Sequence, residues 1–294
     1  MKYTTVAVIY NPNSTGPSET LAKIFETNLR LKLPKQKIEL IATEHAGHGE
    51  ELAYLIAKSS KNPLIISSSG DGGYHEVING VMKAQNEGFQ SITGLLPAGN
   101  ANDHYNNLHN EDIIDLIIKN KTKKIDLLKI VSTSKGKSIE RYAHSYIGFG
   151  LTPSVGKELN KTRLNILTEA WVVVRTLFSI KPVRLKVGKK TRYYESIIFS
   201  NVDRMSKYLK ISQPSRITDG VFEVTIFKPR NKIKLVMLLL RASLNGLKED
   251  DQVSEFVLET TDKVLVQTDG EVMTLDAYSQ VLIKIEKLML TCII

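Results

Sequence analysis

The sequence has almost no cysteine: Cys292 is the single one among 294 residues. One thiol cannot close a disulfide within the chain. A disulfide-stapled secreted scaffold is therefore excluded, and a reducing compartment fits best. Long apolar runs are also missing. The most apolar stretches, Trp171–Val174 and Leu235–Leu240, are cut by Arg175 and Arg241, well short of the ~20 residues a membrane-spanning helix needs. Met1–Tyr10 lacks a basic head followed by a long apolar stretch, so no secretory signal is read there. No internal repeat or low-complexity linker is visible. A Walker A loop is absent too. Gly150–Lys157 comes nearest, but its spacing is wrong and Glu158 stands where Ser or Thr is needed. A simple dinucleotide-binding fingerprint is not found after the first strand.

What remains is an ordinary globular composition, 42% hydrophobic and 24% charged. It can supply a core and is long enough for one large or two medium domains. The net charge is +9 and lies in one half. Residues 1–130 are neutral, with fourteen basic and fourteen acidic side chains, so the excess belongs to 131–294. Ten basic residues fall between 181 and 216, among them Arg184, Lys186, Lys189, Lys190 and Arg192, against Glu195 and Asp203. This stretch reads either as a surface that meets anionic lipid or phosphate, or as a solvated sheet face. Nucleic acid is not expected, because no recognised nucleic-acid motif surrounds the basic residues.

The first 130 residues alternate short apolar runs with helical patterns. Val6–Tyr10, Lys37–Ala42, Pro63–Ser67 and Ser91–Leu96 read as strands; Ser18–Arg30, Glu50–Lys58 and Tyr74–Ala84 read as helices. That order predicts a parallel sheet with helices on both faces. Beyond it the pattern is mostly antiparallel β, with strands at Lys124–Val131, Glu140–Ile147, Val183–Val187, Tyr193–Asn201, Val221–Phe227, Glu255–Glu259, Lys263–Gln267, Glu271–Leu275 and Gln280–Ile285. Helices are expected over Pro153–Phe178 and Lys232–Leu244. The first of these, with Trp171, Val174 and Phe178, packs a core, lines an acyl-chain groove or dips into a membrane surface. The expected domains are 1–130 and 131–294, with the last strand free to return to the first domain.

Ligands of open parallel sheets bind beyond the carboxyl ends of the strands. Three loops there are rich in small and polar residues: Asn11-Pro12-Asn13-Ser14-Thr15-Gly16, Ser67–Gly73 and Leu96–Asp103. Glycines before a helix let the backbone approach a phosphate, and the helix N-terminus offers N–H groups. Asp71 would repel a bare phosphate, and makes sense if Mg²⁺ sits between them. His45 and His48 lie before the second helix, and neither a cysteine nor a further histidine completes a zinc set with them.

These loops resemble those of the diacylglycerol kinase catalytic-domain family, which includes bacterial soluble lipid kinases, sphingosine kinases and ceramide kinase. Asn11–Thr15 resembles its Asn-Pro-x-Ser-Gly. The run Ser69-Gly70-Asp71-Gly72-Gly73-Tyr74-His75-Glu76-Val77-Ile78-Asn79-Gly80 resembles its Gly-Gly-Asp-Gly-Thr-x-x-Glu-Val-x-Asn-Gly. Pro97–Asp103 resembles its Pro-x-Gly-Thr-x-Asn-Asp, and Gly148-Phe149-Gly150, Asp219-Gly220 and Asp269-Gly270-Glu271 resemble its later motifs. Ser69, Gly73 and Asn100 replace the family's Gly, Thr and Thr, and its Gly-Phe-Asp lacks the Asp here.

The resemblance implies a nucleotide domain of the type shared with NAD kinase and phosphofructokinase, an antiparallel β-sandwich domain, and an active site in the cleft between them. It implies ATP and Mg²⁺, with the γ-phosphate moved to a lipid hydroxyl. Asn11, Pro12, Asn13, Ser14, Thr15, Thr43, Ser69, Gly70, Asp71, Gly72, Gly73, Tyr74, His75 and Asn100 would line the nucleotide, with Asn102 and Asp103 shaping its phosphate end. Glu271 falls on the family's proposed general base. Asp219 falls on a structural Mg²⁺ ligand, with backbone oxygens of Arg216 and Val221 beside it. Read without the resemblance, Asp269-Gly270 and Asp219-Gly220 are turn signals. Expected partners are a lipid alcohol, an anionic membrane surface met transiently, and a second copy of the chain as a homodimer. The expected location is the cytoplasm and the inner face of the membrane. The alternatives are a kinase of a soluble alcohol and a nucleotide- or lipid-binding protein with weakened catalysis.

Overall fold

The computed structural model describes residues 3–108, 111–159, 172, 175–205, 209–210, 216–237 and 251–294. The chain divides into two compact units, Met1–Asp126 with Leu288–Ile294, and Leu127–Lys287.

The first unit runs β1 (Thr5–Tyr10), α1 (Ser18–Lys32), β2 (Lys37–Ala42), α2 (His48–Ser59), β3 (Leu64–Ser69), α3 (Asp71–Asn86), β4 (Ile92–Pro97), α4 (Asp103–Leu108) and α5 (Ile113–Ile118). The strands lie in the order β2-β1-β3-β4 and are all parallel. Successive strand side chains point to opposite faces. Val6, Val8, Leu64 and Ile66 pack with Ala22, Phe25 and Leu29 of α1 and with Leu116 and Ile117 of α5. Ala7, Ile9 and Ile65, facing the other way, are buried as well. Helices covering both faces explain why these strands read as unbroken apolar runs.

The second unit adds β5 (Thr122–Ser134), β6 (Lys137–Ala143), β7 (Tyr146–Gly150), α6 (Leu151–Leu159), β8 (Val183–Val187), β9 (Lys190–Tyr194), β10 (Ser196–Ser200), β11 (Arg204–Met205), β12 (Leu209–Lys210), β13 (Phe222–Phe227), β14 (Asp251–Val253), β15 (Glu255–Thr260), β16 (Val264–Thr268), β17 (Glu271–Leu275) and β18 (Gln280–Ile293). One antiparallel sheet has the order β14-β13-β10-β7-β16-β17. Facing it, β15 pairs with β18 and β8, β8 with β9, and β5 with β6. Leu128, Ile130, Leu185, Leu258, Val281 and Ile283 interleave with Ile147, Phe149, Ile197, Phe199, Phe222 and Val266 in one core. Phe199 sits edge-on to Phe149 and Phe222, at 6.2 and 5.9 Å between ring centres. This is the sandwich layering expected of two antiparallel sheets. The end of β18 leaves this unit and runs parallel to β4, with Cys292 opposite Thr93.

Two expected strands are each broken in two. Glu140–Ile147 is interrupted at His144-Ser145. There the buried Asp269 carboxylate accepts the N–H groups of His144 (2.7 Å), Ser145 (2.9 Å) and Tyr146 (3.0 Å). Tyr193–Asn201 is interrupted at Glu195. Its N–H goes to the Phe227 carbonyl at 2.8 Å, and its side chain turns inward to the Lys232 ammonium at 2.8 Å. The third helix begins three residues earlier than expected, so Asp71, Gly72 and Gly73 form its first turn rather than a loop. The expected helices over Pro153–Phe178 and Lys232–Leu244 are described only in part. Trp171, Val174 and the end of the second helix lie outside the described residues.

Candidate active site

The loops after β1, β3 and β4 meet through their backbones. A Cβ on Gly70 would stand 2.9 Å from the Gly99 Cα, and one on Gly99 would collide with Gly70. A Cβ on Gly16 would collide with the Ala98 carbonyl. Only glycine allows this approach, and it brings the start of α3 against the turn after β4. Side chains then fix the loops. The Asn11 carboxamide accepts the Asn13 N–H at 2.8 Å, and the Ser14 hydroxyl accepts the Gly16 N–H at 3.2 Å. Ser18 and Ser68 exchange hydroxyl-to-carbonyl bonds, tying the first loop to the end of β3. Thr43 continues the β1–β2 ladder by donating its N–H to the Tyr10 carbonyl at 2.8 Å.

Asp71 holds the third and fourth loops together. Its two carboxylate oxygens accept the N–H groups of Asp103 at 3.0 Å and His104 at 3.1 Å. Asn102, in the left-handed region at φ 52°, clamps its own turn: its carboxamide accepts the Gly99 N–H and donates to the Gly99 carbonyl, both at 2.9 Å. Ser69, in place of the family glycine, bonds Ser67 at 2.6 Å and donates to the Gly70 carbonyl at 2.9 Å. Asn11, Pro12, Asn13, Thr15 and Asn100 are exposed; Ser14, Thr43, Ser69 and the Gly70–Gly73 turn are half-buried.

Two of the expected lining residues, Tyr74 and His75, are buried. Tyr74 is set in the core, its hydroxyl on the Thr93 hydroxyl at 2.9 Å, and burial pushes that phenol well above its ordinary range. His75 is buried against Asn79, which donates to the His75 carbonyl at 2.9 Å. Both sit on the inward side of α3 rather than on the loop surface. Asp103 is likewise buried.

Glu76 carries a role that the sequence reading did not assign. Its carboxylate accepts the N–H groups of Gly47 and Gly49, each at 2.9 Å, and so caps α2 from α3. His45 and His48 stack with ring centres 4.7 Å apart, and Glu51 completes a cluster of possible ligand atoms. Near-parallel rings do not converge their lone pairs on one ion. His48 Nδ1, moreover, already accepts the Glu44 N–H at 3.0 Å.

In the second unit, Glu271 is exposed on the edge strand β17, opposite Thr268. Asp219 closes its own turn by accepting the Val221 N–H at 3.2 Å. The Arg216 carbonyl accepts the N–H groups of Thr218 and Asp219, at 2.7 and 3.2 Å. A Cβ on Gly220 would stand 2.6 Å from the Lys287 Nζ, so an ammonium lies against this turn. One carboxylate and one doubly occupied carbonyl beside a cation fit a self-closed turn better than the near-octahedral oxygen cage Mg²⁺ demands. Of the basic stretch, Arg184, Lys189, Lys190 and Arg192 are exposed along β8 and β9, whereas Lys186 pairs with Glu259 at 2.8 Å. No helix among the described residues is long and apolar enough to cross a membrane.

Comparison with known proteins follows the same lines. Residues 5–130 match the family described as diacylglycerol kinase catalytic domain. The diacylglycerol kinase of Bacillus subtilis is 25% identical over 289 residues, covering 90% of this chain and 88% of its own. A crystal structure of a diacylglycerol kinase from Bacillus anthracis superposes with a TM-score of 0.72 at 18% identity, covering 100% of this chain and 97% of that one. Yeast NADH kinase superposes at 0.54 and 11% identity, covering 98% and 83%. At these identities the two structures speak to the fold alone, and that fold is the kinase-type α/β unit with an antiparallel β unit. Residues 5–130, which carry the three glycine-bearing loops joined by Asp71, are thus similar to a diacylglycerol kinase catalytic domain, and the chain shares its fold with solved kinases.

Proposed function

We propose that the chain transfers the γ-phosphate of ATP to the hydroxyl of diacylglycerol or a similar lipid alcohol. The observation that carries this reading is the backbone contact of Gly70 with Gly99 at the start of α3. Gly72 and Gly73 stand in the first turn of α3, where a helix has N–H groups without intrahelical partners. Those groups and the helix dipole are suited to the phosphates. Asn11, Asn13, Ser14, Thr15, Thr43 and Asn100 would border the nucleotide.

Phosphoryl transfer asks mainly for positioning and charge neutralisation. Mg²⁺, when bound with the nucleotide, supplies the neutralisation. Asp71 fits the task of orienting it, because the Asp103 and His104 N–H groups fix its carboxylate at the start of α3. Asn102 and Asp103 hold the phosphate-end turn in shape. Glu271 accepts the proton of the attacking hydroxyl or orients it. Asp219, with Arg216 and Val221, is assigned to turn closure. The exposed Arg184, Lys189, Lys190 and Arg192 suit a transient meeting with an anionic inner-leaflet surface, at up to ~1 kcal/mol for each basic residue.

The test is phosphate transfer from γ-labelled ATP into diacylglycerol in mixed micelles with Mg²⁺, beside Asp71→Ala and Glu271→Gln. Label in the lipid that disappears in both variants supports the reading. Absence of label in wild type, with ATP still raising the melting temperature, overturns the lipid acceptor and favours a soluble one.

A further inference from the structure

Asp269 lies two residues before Glu271 and is completely buried. It occupies the first turn position of the β16–β17 hairpin at φ 49°, and Gly270 follows at φ 102°. Left-handed values at both positions are those of a tight type I′ turn. Asp-Gly is a preferred pair for that turn, because a short polar side chain can hold the left-handed conformation by hydrogen bonding. Here the carboxylate is held by three consecutive N–H groups of the β6–β7 corner, at 2.7, 2.9 and 3.0 Å, and its own N–H reaches the Tyr146 carbonyl at 3.2 Å. Successive N–H groups turned inward make an anion-binding nest.

His144 completes the nest. Its ring is also completely buried, with Nε2 3.4 Å from Asp269 Oδ2 and Nδ1 2.7 Å from the Ser145 hydroxyl. A carboxylate beside Nε2 selects the tautomer with the proton on that nitrogen. Nδ1 is then left to accept the Ser145 hydroxyl. The order Ser145–His144–Asp269 invites comparison with a nucleophilic triad. All three side chains are sealed from solvent, so no substrate reaches them.

We propose that His144 and Asp269 are the positioning pair that sets where the Glu271 carboxylate stands. This rests on the reading of Glu271 as the proton acceptor. The need for such a pair comes from topology. Among the described residues β17 is an edge strand of its sheet, paired with β16 from Val264↔Leu275 to Thr268↔Glu271. Glu271 is therefore at the end of a one-sided ladder, beside the turn. The turn's anchor is Asp269 in the 144–146 corner, and the His144 ring fixes the orientation of that carboxylate. Misplacement of a catalytic group by about 1 Å is enough to lower turnover up to a hundredfold.

The experiment is steady-state kinetics of lipid phosphorylation by the full chain. His144→Ala keeps the backbone N–H bonds and removes only the ring. It is expected to lower kcat at least tenfold with KM for ATP within twofold of wild type. His144→Gln, whose amide can still donate toward Asp269, is expected to recover most of that loss. The double variant His144→Ala/Glu271→Gln is expected to be no slower than Glu271→Gln alone, as for groups acting as a unit. Should His144→Ala fail to fold by circular dichroism, His144→Gln and Ser145→Ala carry the test, with a fall in kcat at constant KM expected for Ser145→Ala. Wild-type kcat in His144→Ala while Glu271→Gln is inactive overturns the positioning pair alone, as does an additive double variant. Wild-type kcat in Glu271→Gln overturns the proton-acceptor reading, and the pair with it.

Discussion

The carboxylate of Asp71, at the start of α3, accepts the N–H of Asp103, at the start of α4, at 3.0 Å, and the neighbouring His104 N–H at 3.1 Å on its other oxygen. The residue that the sequence points to for cation chemistry is thus also the strut between two loops. The two duties can be separated. Asp71→Asn keeps one acceptor and loses the charge. It is expected to abolish transfer while lowering stability by about 1 kcal/mol, the usual worth of a helix-capping side chain. Asp71→Ala should lose about 1 kcal/mol more, read by urea unfolding.

Close approach of glycines at the loops gives a second prediction. Gly70→Ala and Gly99→Ala each push a methyl group into the opposite backbone, which neither side can yield without moving a loop. Destabilisation of about 1–3 kcal/mol is expected, as for other overpacked sites. The rise in melting temperature on adding ATP should vanish in both. An unchanged ATP-induced shift in Gly99→Ala would separate this contact from nucleotide binding.

Removal of divalent ions distinguishes the two carboxylates expected to meet Mg²⁺. Because the Asp219 turn closes on Val221 and lies against Lys287, EDTA is expected to leave the melting temperature of the nucleotide-free protein unchanged. Asp219→Ala should stay within about 0.5 kcal/mol of wild type, as surface changes do. A drop in melting temperature on chelation, restored by Mg²⁺, would return Asp219 to metal binding.

Burial pushes the Cys292 thiol up to about 12, with the nearby Lys123 pulling slightly the other way. The thiolate is the reactive form, so a thiol reagent at pH 8 should label the native chain only as it unfolds. The sign for stability follows. A thiol whose folded value lies above the unfolded one favours the fold below the unfolded value, about 8.5. That contribution is lost as pH rises toward 12. Buried Tyr74 shifts in the same direction. Unfolding free energy is therefore expected to fall on the alkaline side, and Cys292→Ser should lessen that slope.

Much of the fold was legible because its signals are local. β2, β8 and β17 have the bounds their apolar patterning predicts, and the strand–helix alternation of the first unit follows from burial on both sheet faces. Legibility failed where distant residues intervene. Alternation runs unbroken through Glu140–Ile147. The break at His144-Ser145 is imposed by Asp269, more than a hundred residues away. The kink at Glu195 is likewise imposed by Lys232. At the site, the motifs mark the loops that meet. They do not say which side of α3 a residue takes: Tyr74 and His75 read as helical and as lining the nucleotide, and the helical spacing turns both inward. Glu76 falls on a motif position, but the motif does not tell its partners, which are backbone N–H groups at the start of another helix.

The return of β18 has a consequence for the order in which this protein is made. Leu288–Ile293 complete the first unit beside β4, with Cys292 opposite Thr93 and the Met289 carbonyl on the Gln85 side chain at 3.1 Å. A ribosome delivers those residues only after all of 127–287 has been synthesised. Until then the nascent first unit carries an unpaired β4 edge, Gly94 included, that any other extended segment could occupy. The kinase fold is thus sealed by its last strand, and its earlier half spends most of translation as an open sheet.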